Sequence, residues 1–168
     1  MSDNKTIGVG IIGLGVRGFY CIGMNMAQLC HETGFRIAAL CDRNSARMEK
    51  VRDVLVGTYA SEGASISPRL YDNGLDLMDA REVDLVVITS ITDTHREFAV
   101  PALFSGRKVY CDKPLAQNVE DAVAIVEAEA EADNPLIMGV YSPVRVGLEE
   151  GPRIAQGWRH RESDHDPD

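Results

Sequence analysis

Lys113 is well placed for chemistry, in the run Lys108-Val-Tyr-Cys-Asp112-Lys113-Pro114 that follows a strand-like segment. It stands at the carboxyl end of a parallel strand, where open α/β sheets place their ligands. The plain alternative is a solvated loop lysine. Far upstream, Gly13-Leu-Gly15-Val16-Arg17-Gly18 follows the apolar run Thr6 to Ile12. Glycines after a strand are common turn punctuation. Between a strand and a helix, however, they cradle a pyrophosphate. Gly15 lets backbone approach the anion, Gly18 lets the helix pack on the strand, and the free N–H groups of the helix start bind. Asp42 closes the next apolar run, Arg36-Ile-Ala-Ala-Leu-Cys-Asp42, where an acid accepts from ribose hydroxyls. A carboxylate there repels a 2′-phosphate, so NAD is favoured, while the neighbouring Arg43 leaves NADP possible.

The elements that must position these groups alternate along the chain. Apolar runs at Ile7–Ile12, Arg36–Cys41, Val83–Thr89, Lys108–Cys111 and Leu136–Tyr141 read as strands, with a weaker one at Arg69–Tyr71. Helices are expected at about 16–32, 44–56, 74–80, 94–105 and 118–132. The continuous apolar stretch Val83-Asp-Leu-Val-Val-Ile88 suits a strand buried on both faces. A βαβα alternation of this kind gives an α/β fold, a doubly wound parallel sheet. Thr94 and Glu97 have the spacing of a capping box, and Asn118 caps the last helix with Glu120 and Asp121 in its first turn. Val119, Ala122, Val123 and Val126 read as that helix's buried stripe. Pro101 sits badly inside the helix expected at 94–105, at a cost of about 3 kcal/mol or a kink.

Composition bounds the function classes. A length of 168 residues, 45% hydrophobic and 26% charged, suits one soluble globular domain. A net charge of -9 argues against nucleic acid and against anionic membranes as partners. Cys21, Cys30, Cys41 and Cys111 lack Cys-x-x-Cys spacing and lie mostly in apolar segments, which favours reduced thiols and a cytoplasmic setting. The opening residues lack the apolar core of a signal peptide, and no segment approaches membrane-spanning length. His160, Asp164, His165 and Asp166 have no helical or strand spacing to orient them, so no metal site is expected.

The glycine turn, the strand-end acid and the Asp112-Lys113-Pro114 run together resemble the N-terminal half of the Gfo/Idh/MocA oxidoreductases, over residues 5 to about 140. The resemblance implies a Rossmann domain at 1–140 and an NAD(P)-dependent dehydrogenase acting on a sugar, polyol or related hydroxyl compound. It implies that Lys113 lies beside the nicotinamide and the substrate hydroxyl as the catalytic lysine. Asp112 stands where the family has glutamate and keeps the carboxylate with a shorter reach. Thr92-Asp93-Thr94-His95 matches the family's Thr-Pro-Asn-x-x-His loop only loosely, and His95 is either a catalytic acid or a cap-region residue near the cofactor. The implied cofactor site is Gly13, Gly15, Val16, Arg17, Gly18, Asp42, Arg43, Thr89, Ser90, Thr92, His95, Asp112 and Lys113.

After about residue 140 the resemblance fails. The family continues into a second α/β domain that supplies the substrate pocket; here a polar tail runs from 141 to 168. Reading the codons one nucleotide forward permits Phe-Thr-Leu-Arg-Tyr at Val140–Val144 and turns Trp158 into glycine, restoring family sequence in order. A frameshifted reading is therefore expected over a natural short form. The expected polypeptide is a cofactor-binding half with little turnover, with a small hydroxylated substrate only in a full-length form. The alternative is a non-catalytic dinucleotide-binding module, acting as a redox reader or within a homo-oligomer.

Overall fold

Six short apolar runs become six strands, because a parallel sheet covered on both faces needs apolar side chains on both. The computed structural model describes residues 6–139. The strands are β1 (Ile7–Ile12), β2 (Phe35–Cys41), β3 (Arg69–Tyr71), β4 (Leu85–Ile88), β5 (Lys108–Asp112) and β6 (Leu136–Gly139). All neighbours pair in parallel, in the spatial order β3-β2-β1-β4-β5-β6. Strand order reverses between β1 and β4, which opens a crevice at their carboxyl ends. The expected doubly wound sheet is present. The continuation of the last strand to Tyr141, the tail at 141–168 and its reading frame lie outside the described residues.

The connections are α1 (Met24–Gln28), α2 (Cys30–Thr33), α3 (Ser45–Ser61), α4 (Gly74–Met78), α5 (His95–Phe104) and α6 (Val119–Ala132), with a π-helical segment Val16–Gly23 ahead of α1. They form two apolar layers. On one face Val9, Ile11, Ile37 and Leu40 meet Leu55 and Tyr59 of α3. On the other, Ile12, Val86, Ile88 and Val109 meet Leu77, Leu103 and Ile125 from α4, α5 and α6. Each such side chain contributes roughly 1.5–3 kcal/mol by leaving water.

Several expected details are corrected. The helix over 16–32 is broken into the π-helical segment, α1 and α2, with a break at Leu29 (φ -104°, ψ 20°). Gly18 and Gly23 weaken the α-helical preference of this stretch, and Gly34 ends it in a left-handed conformation (φ 69°). Helix α3 runs past residue 56 to Ser61, through Gly57, because Tyr59 is buried in the core. The Tyr59 hydroxyl donates to Phe35 O at 3.3 Å and accepts from Ile37 N at 3.4 Å.

The Thr94–Glu97 capping box does not form. Thr94 Oγ1 instead donates to Ile91 O at 2.8 Å and pairs with Ser90 Oγ at 2.7 Å. Pro101 is accommodated within α5 on its exposed side, where the freed carbonyl of Glu97 can meet water. Asn118 does cap α6, accepting from Asp121 N at 2.7 Å. The valine stripe of α6 is turned outward: Val119, Val123 and Val126 are exposed, while Ile125 and Ala128 are buried. The Arg96–Asp121 ion pair, 2.9 Å, lies on the flank of α6 that meets α5, and the Ile125 side packs inward. Counting valines selects the wrong stripe because the neighbouring helix, not the local pattern, decides which side is covered.

This correction is testable by thermal or denaturant unfolding. Ile125→Ala is expected to cost about 2–5 kcal/mol, as for a buried aliphatic truncation. Val123→Ala is expected to stay within about 0.5 kcal/mol. Equal losses would restore the valine stripe to the core.

Candidate functional site

The turn after β1 works only without side chains. Gly13 adopts φ +90°, and a Cβ there would lie 2.6 Å from Ser90 N. Its N–H donates to Cys41 O at 2.9 Å, and its carbonyl accepts from Thr89 Oγ1 at 2.7 Å. At Gly18 an added Cβ would fall 2.0 Å from Gly13 O, so the helical segment is pressed directly against the strand end. At Gly15 nothing lies within 4 Å of an added Cβ. That open space, beside the first N–H groups of a helix, is a cradle for an anion and fits the pyrophosphate of a dinucleotide.

The cradle belongs to a cavity of about 410 Å³ at the carboxyl ends of β1, β2 and β4. Of the residues expected from sequence, it is lined by Gly13, Gly15, Asp42, Arg43, Thr89 and Ser90. Asp42 is buried and fully engaged. Its Oδ2 accepts from Leu14 N at 2.8 Å and its Oδ1 from Asn44 N at 2.9 Å. Arg47 Nη1 adds contacts of 3.4 and 3.3 Å to the two oxygens. Arg47, Asn73, Gly74 and Phe98 also line the cavity and were missed. Arg47 could have been found one turn past the Asn44 cap of α3, and Asn73-Gly74 at the carboxyl end of β3.

The other expected residues lie outside that cavity. Val16 is exposed beside the turn, and Thr92 is half-buried in the short turn before α5. Arg17 and Asp112 are brought together as a bidentate pair, Nε to Oδ2 at 2.9 Å and Nη2 to Oδ1 at 2.8 Å. Arg17 therefore tethers the glycine turn to the end of β5, and both Asp112 oxygens are already occupied. This hydrogen bonding holds the Asp112 carboxyl below the usual range, against the opposing effect of burial, and raises the pKa of Arg17.

His95 is buried rather than facing the cavity. Its Nδ1 lies 3.0 Å from Pro114 O and 3.3 Å from Leu115 O, and its Nε2 lies 3.2 Å from Ser90 O. It lies between the loop after β5 and the loop after β4, at the start of α5 and next to Ser90 of the cavity lining. Lys113, on the loop after β5, is exposed. Burial pushes the Cys41 and Cys111 thiols up to about 12, with Asp42 or Asp112 adding to it, so both stay protonated near neutrality. Among the described residues there is no group of three or more potential metal ligands, and no helix is long and apolar enough to cross a membrane.

The tether has a pH signature. Because Asp112 titrates lower in the folded chain, its contribution is complete above the unfolded carboxylate value of about 3.9 and is lost as pH falls through the folded value. Arg17→Met is expected to cost about 2 kcal/mol at pH 7. In chemical unfolding across pH 7 to 2.5, that difference should shrink toward the acid end. A pH-independent difference would mean that Arg17 stabilises by packing alone.

Comparison with known proteins agrees with the geometry. The profile of the Gfo/Idh/MocA group, described as "Oxidoreductase family, NAD-binding Rossmann fold", matches residues 7–140. An inositol 2-dehydrogenase of Serratia proteamaculans is 34% identical over 145 residues, covering 84% of this chain and 39% of the relative. That of Rubrobacter xylanophilus is 30% identical over 178 aligned residues, 98% of this chain and 47% of the relative. The chain thus spans less than half the length of these relatives. Among solved structures, an NAD-binding oxidoreductase from Klebsiella pneumoniae superposes with a TM-score of 0.63 at 27% identity, covering 79% of this chain and 34% of that one. The fold is also shared by the scyllo-inositol dehydrogenase of Lactobacillus casei, solved with NAD(H) and scyllo-inositol, at a TM-score of 0.66 and 21% identity over 80% of this chain and 36% of that one. The chain belongs to the Gfo/Idh/MocA oxidoreductase family, and the matched residues are its NAD-binding Rossmann domain.

Proposed function

We propose that this chain is the cofactor half of an NAD-dependent dehydrogenase acting on a hydroxyl of a sugar, polyol or related compound. One observation carries the reading: the open cradle above Gly15 and the carboxylate of Asp42 lie in a single cavity at the strand-order reversal. The pyrophosphate is assigned to the glycine turn and the adenosine ribose to the Asp42 side. The names of the relatives supply the polyol class.

The bound nicotinamide supplies a hydride acceptor. Lys113 is assigned to the substrate oxygen, where its ammonium stabilises developing negative charge and moves the proton. Its exposure and the fastening of its loop through His95 support that role. Asp112 serves as Arg17's partner, which keeps the turn and the lysine loop in one unit. The substrate-facing wall is assigned to the part of the relatives beyond the matched region, and residues 7–140 to dinucleotide binding.

NADH titration followed by fluorescence or calorimetry tests the assignment. Gly15→Val fills the cradle and is expected to weaken binding about tenfold or more; equal affinities would sink the reading. For Lys113, Lys113→Met is expected to lower oxidation of polyols or sugars with NAD by about a hundredfold or more while leaving NADH affinity within about threefold. Turnover that survives Lys113→Met would refute the lysine's role.

A further inference from the structure

Helix α6 carries an apolar flank that the described fold leaves uncovered. Val119, Val123 and Val126 are 74%, 47% and 53% exposed, and Ala130 is exposed beyond them. With 3.6 residues per turn, these positions share one flank, across the helix from Asp121, whose pair with Arg96 marks the α5 side. Ala116 and Ala122 join the three valines around a groove of about 510 Å³, with Glu127 on its rim. Single exposed aliphatics are ordinary on a protein surface. A row of them around a recess marks a contact surface.

The solvent border of this flank is acidic. Helix α6 contains no lysine or arginine. Of its acids, Asp121 is paired with Arg96, and Glu129 accepts from Leu136 N at 2.8 Å. Glu120, Glu127 and Glu131 are exposed and have no ion-pair partner among the described residues. Their helical spacing sets all three in one row beside the valines.

We propose that this flank docks an amphipathic helix of another protein, one with an aliphatic stripe bordered by a row of lysines or arginines. The backbone of α6 is spent on its own hydrogen bonds, so contact must be made through side chains. A partner that also satisfies its own backbone, a helix, fits such a surface. The stripe from Val119 to Ala130 runs about 16 Å, three turns of a facing helix. Its glutamate row supplies the complement to basic residues. A second copy of α6 would set that row against an identical one, and an anionic bilayer would meet the same repulsion. The groove shares no lining residue with the dinucleotide cavity, so the proposal stands independently of the cofactor reading.

Fluorescence anisotropy tests it, with a labelled Leu/Lys peptide whose leucines follow helical spacing, titrated with the full chain. A scrambled peptide of the same composition and a Leu/Glu peptide of the same pattern are the controls. The Leu/Lys peptide is expected to bind about tenfold or more tighter than either control, and to weaken as salt rises. Val123→Asp should weaken it about tenfold or more. That variant adds negative charge, so attraction to the acidic surface alone would strengthen binding instead. Val119→Asp, at the most exposed position of the stripe, repeats the test should Val123→Asp unfold. Circular dichroism reports the folding of each variant, and NADH affinity should stay within about twofold. Equal binding of the scrambled peptide, or binding undiminished in both aspartate variants, overturns the inference. So does a concentration-dependent dimer in sedimentation that Val123→Asp abolishes, which would give the flank to a second copy. Binding to phosphatidylglycerol vesicles lost in the same variant would give it to a membrane and overturn the inference as well.

Discussion

The backbone approach that shapes the cleft lies where the chain leaves β1 and meets the end of β4. Gly13 turns with φ +90°, gives its carbonyl to Thr89 Oγ1 at 2.7 Å, and has Gly18 pressed against that same carbonyl. A methyl group at either glycine would collide with backbone atoms that cannot move without shifting a strand. Because the helical segment comes so near, its first N–H groups open directly onto the crevice between β1 and β4. The cradle at Gly15 is thus a consequence of packing at its two neighbouring glycines.

Charge at the carboxyl ends of the strands is handled by one repeated device. Asp42 closes β2 and is held by two backbone N–H groups and Arg47. Asp112 closes β5 and is held by Arg17. Both acids are largely buried, and an uncompensated carboxylate there would be costly. The arginines come from the starts of the helical segments that follow β1 and β2, so the carboxylates join strand ends to helix starts. In a chain with net charge -9, pairing these two acids lowers the repulsion that an anion meets at the strand ends.

What the sequence discloses follows from how local each feature is. Strand positions are legible because a parallel sheet demands unbroken apolar runs, and Ile7–Ile12 or Val86 to Ile88 leave no other reading. The glycine turn and Asp42 are legible because the turn and the acid stand at fixed places relative to those strands. The Asn118 cap is legible because its bond spans three residues. The outward valines of α6, the engagement of Thr94 with Ser90 and the burial of His95 are not. The first and last depend on elements distant in sequence, α5 for α6 and the Pro114 loop for His95, whereas Thr94 takes the nearby Ser90 and Ile91 as partners in place of its own helix start. Arg47 is a local signal, five residues past Asp42, and acquires meaning once the Asn44 cap sets the start of α3 and brings its guanidinium to the carboxylate.

The same long-range contacts explain how an exposed lysine can be held in place. Lys113 has Asp112 on one side, fixed by Arg17 across the sheet's carboxyl edge. On the other side, the carbonyls of Pro114 and Leu115 are fixed by the buried His95 ring. The restraint acts on the backbone at both flanks, while the side chain points into solvent-accessible space. A group that must meet a substrate oxygen needs this combination, because fixed flanks lower the ordering cost at the moment of reaction while an open ammonium keeps its donors. On the role proposed for Lys113, Arg17 and His95 act through the backbone around the lysine, without themselves lining the cavity.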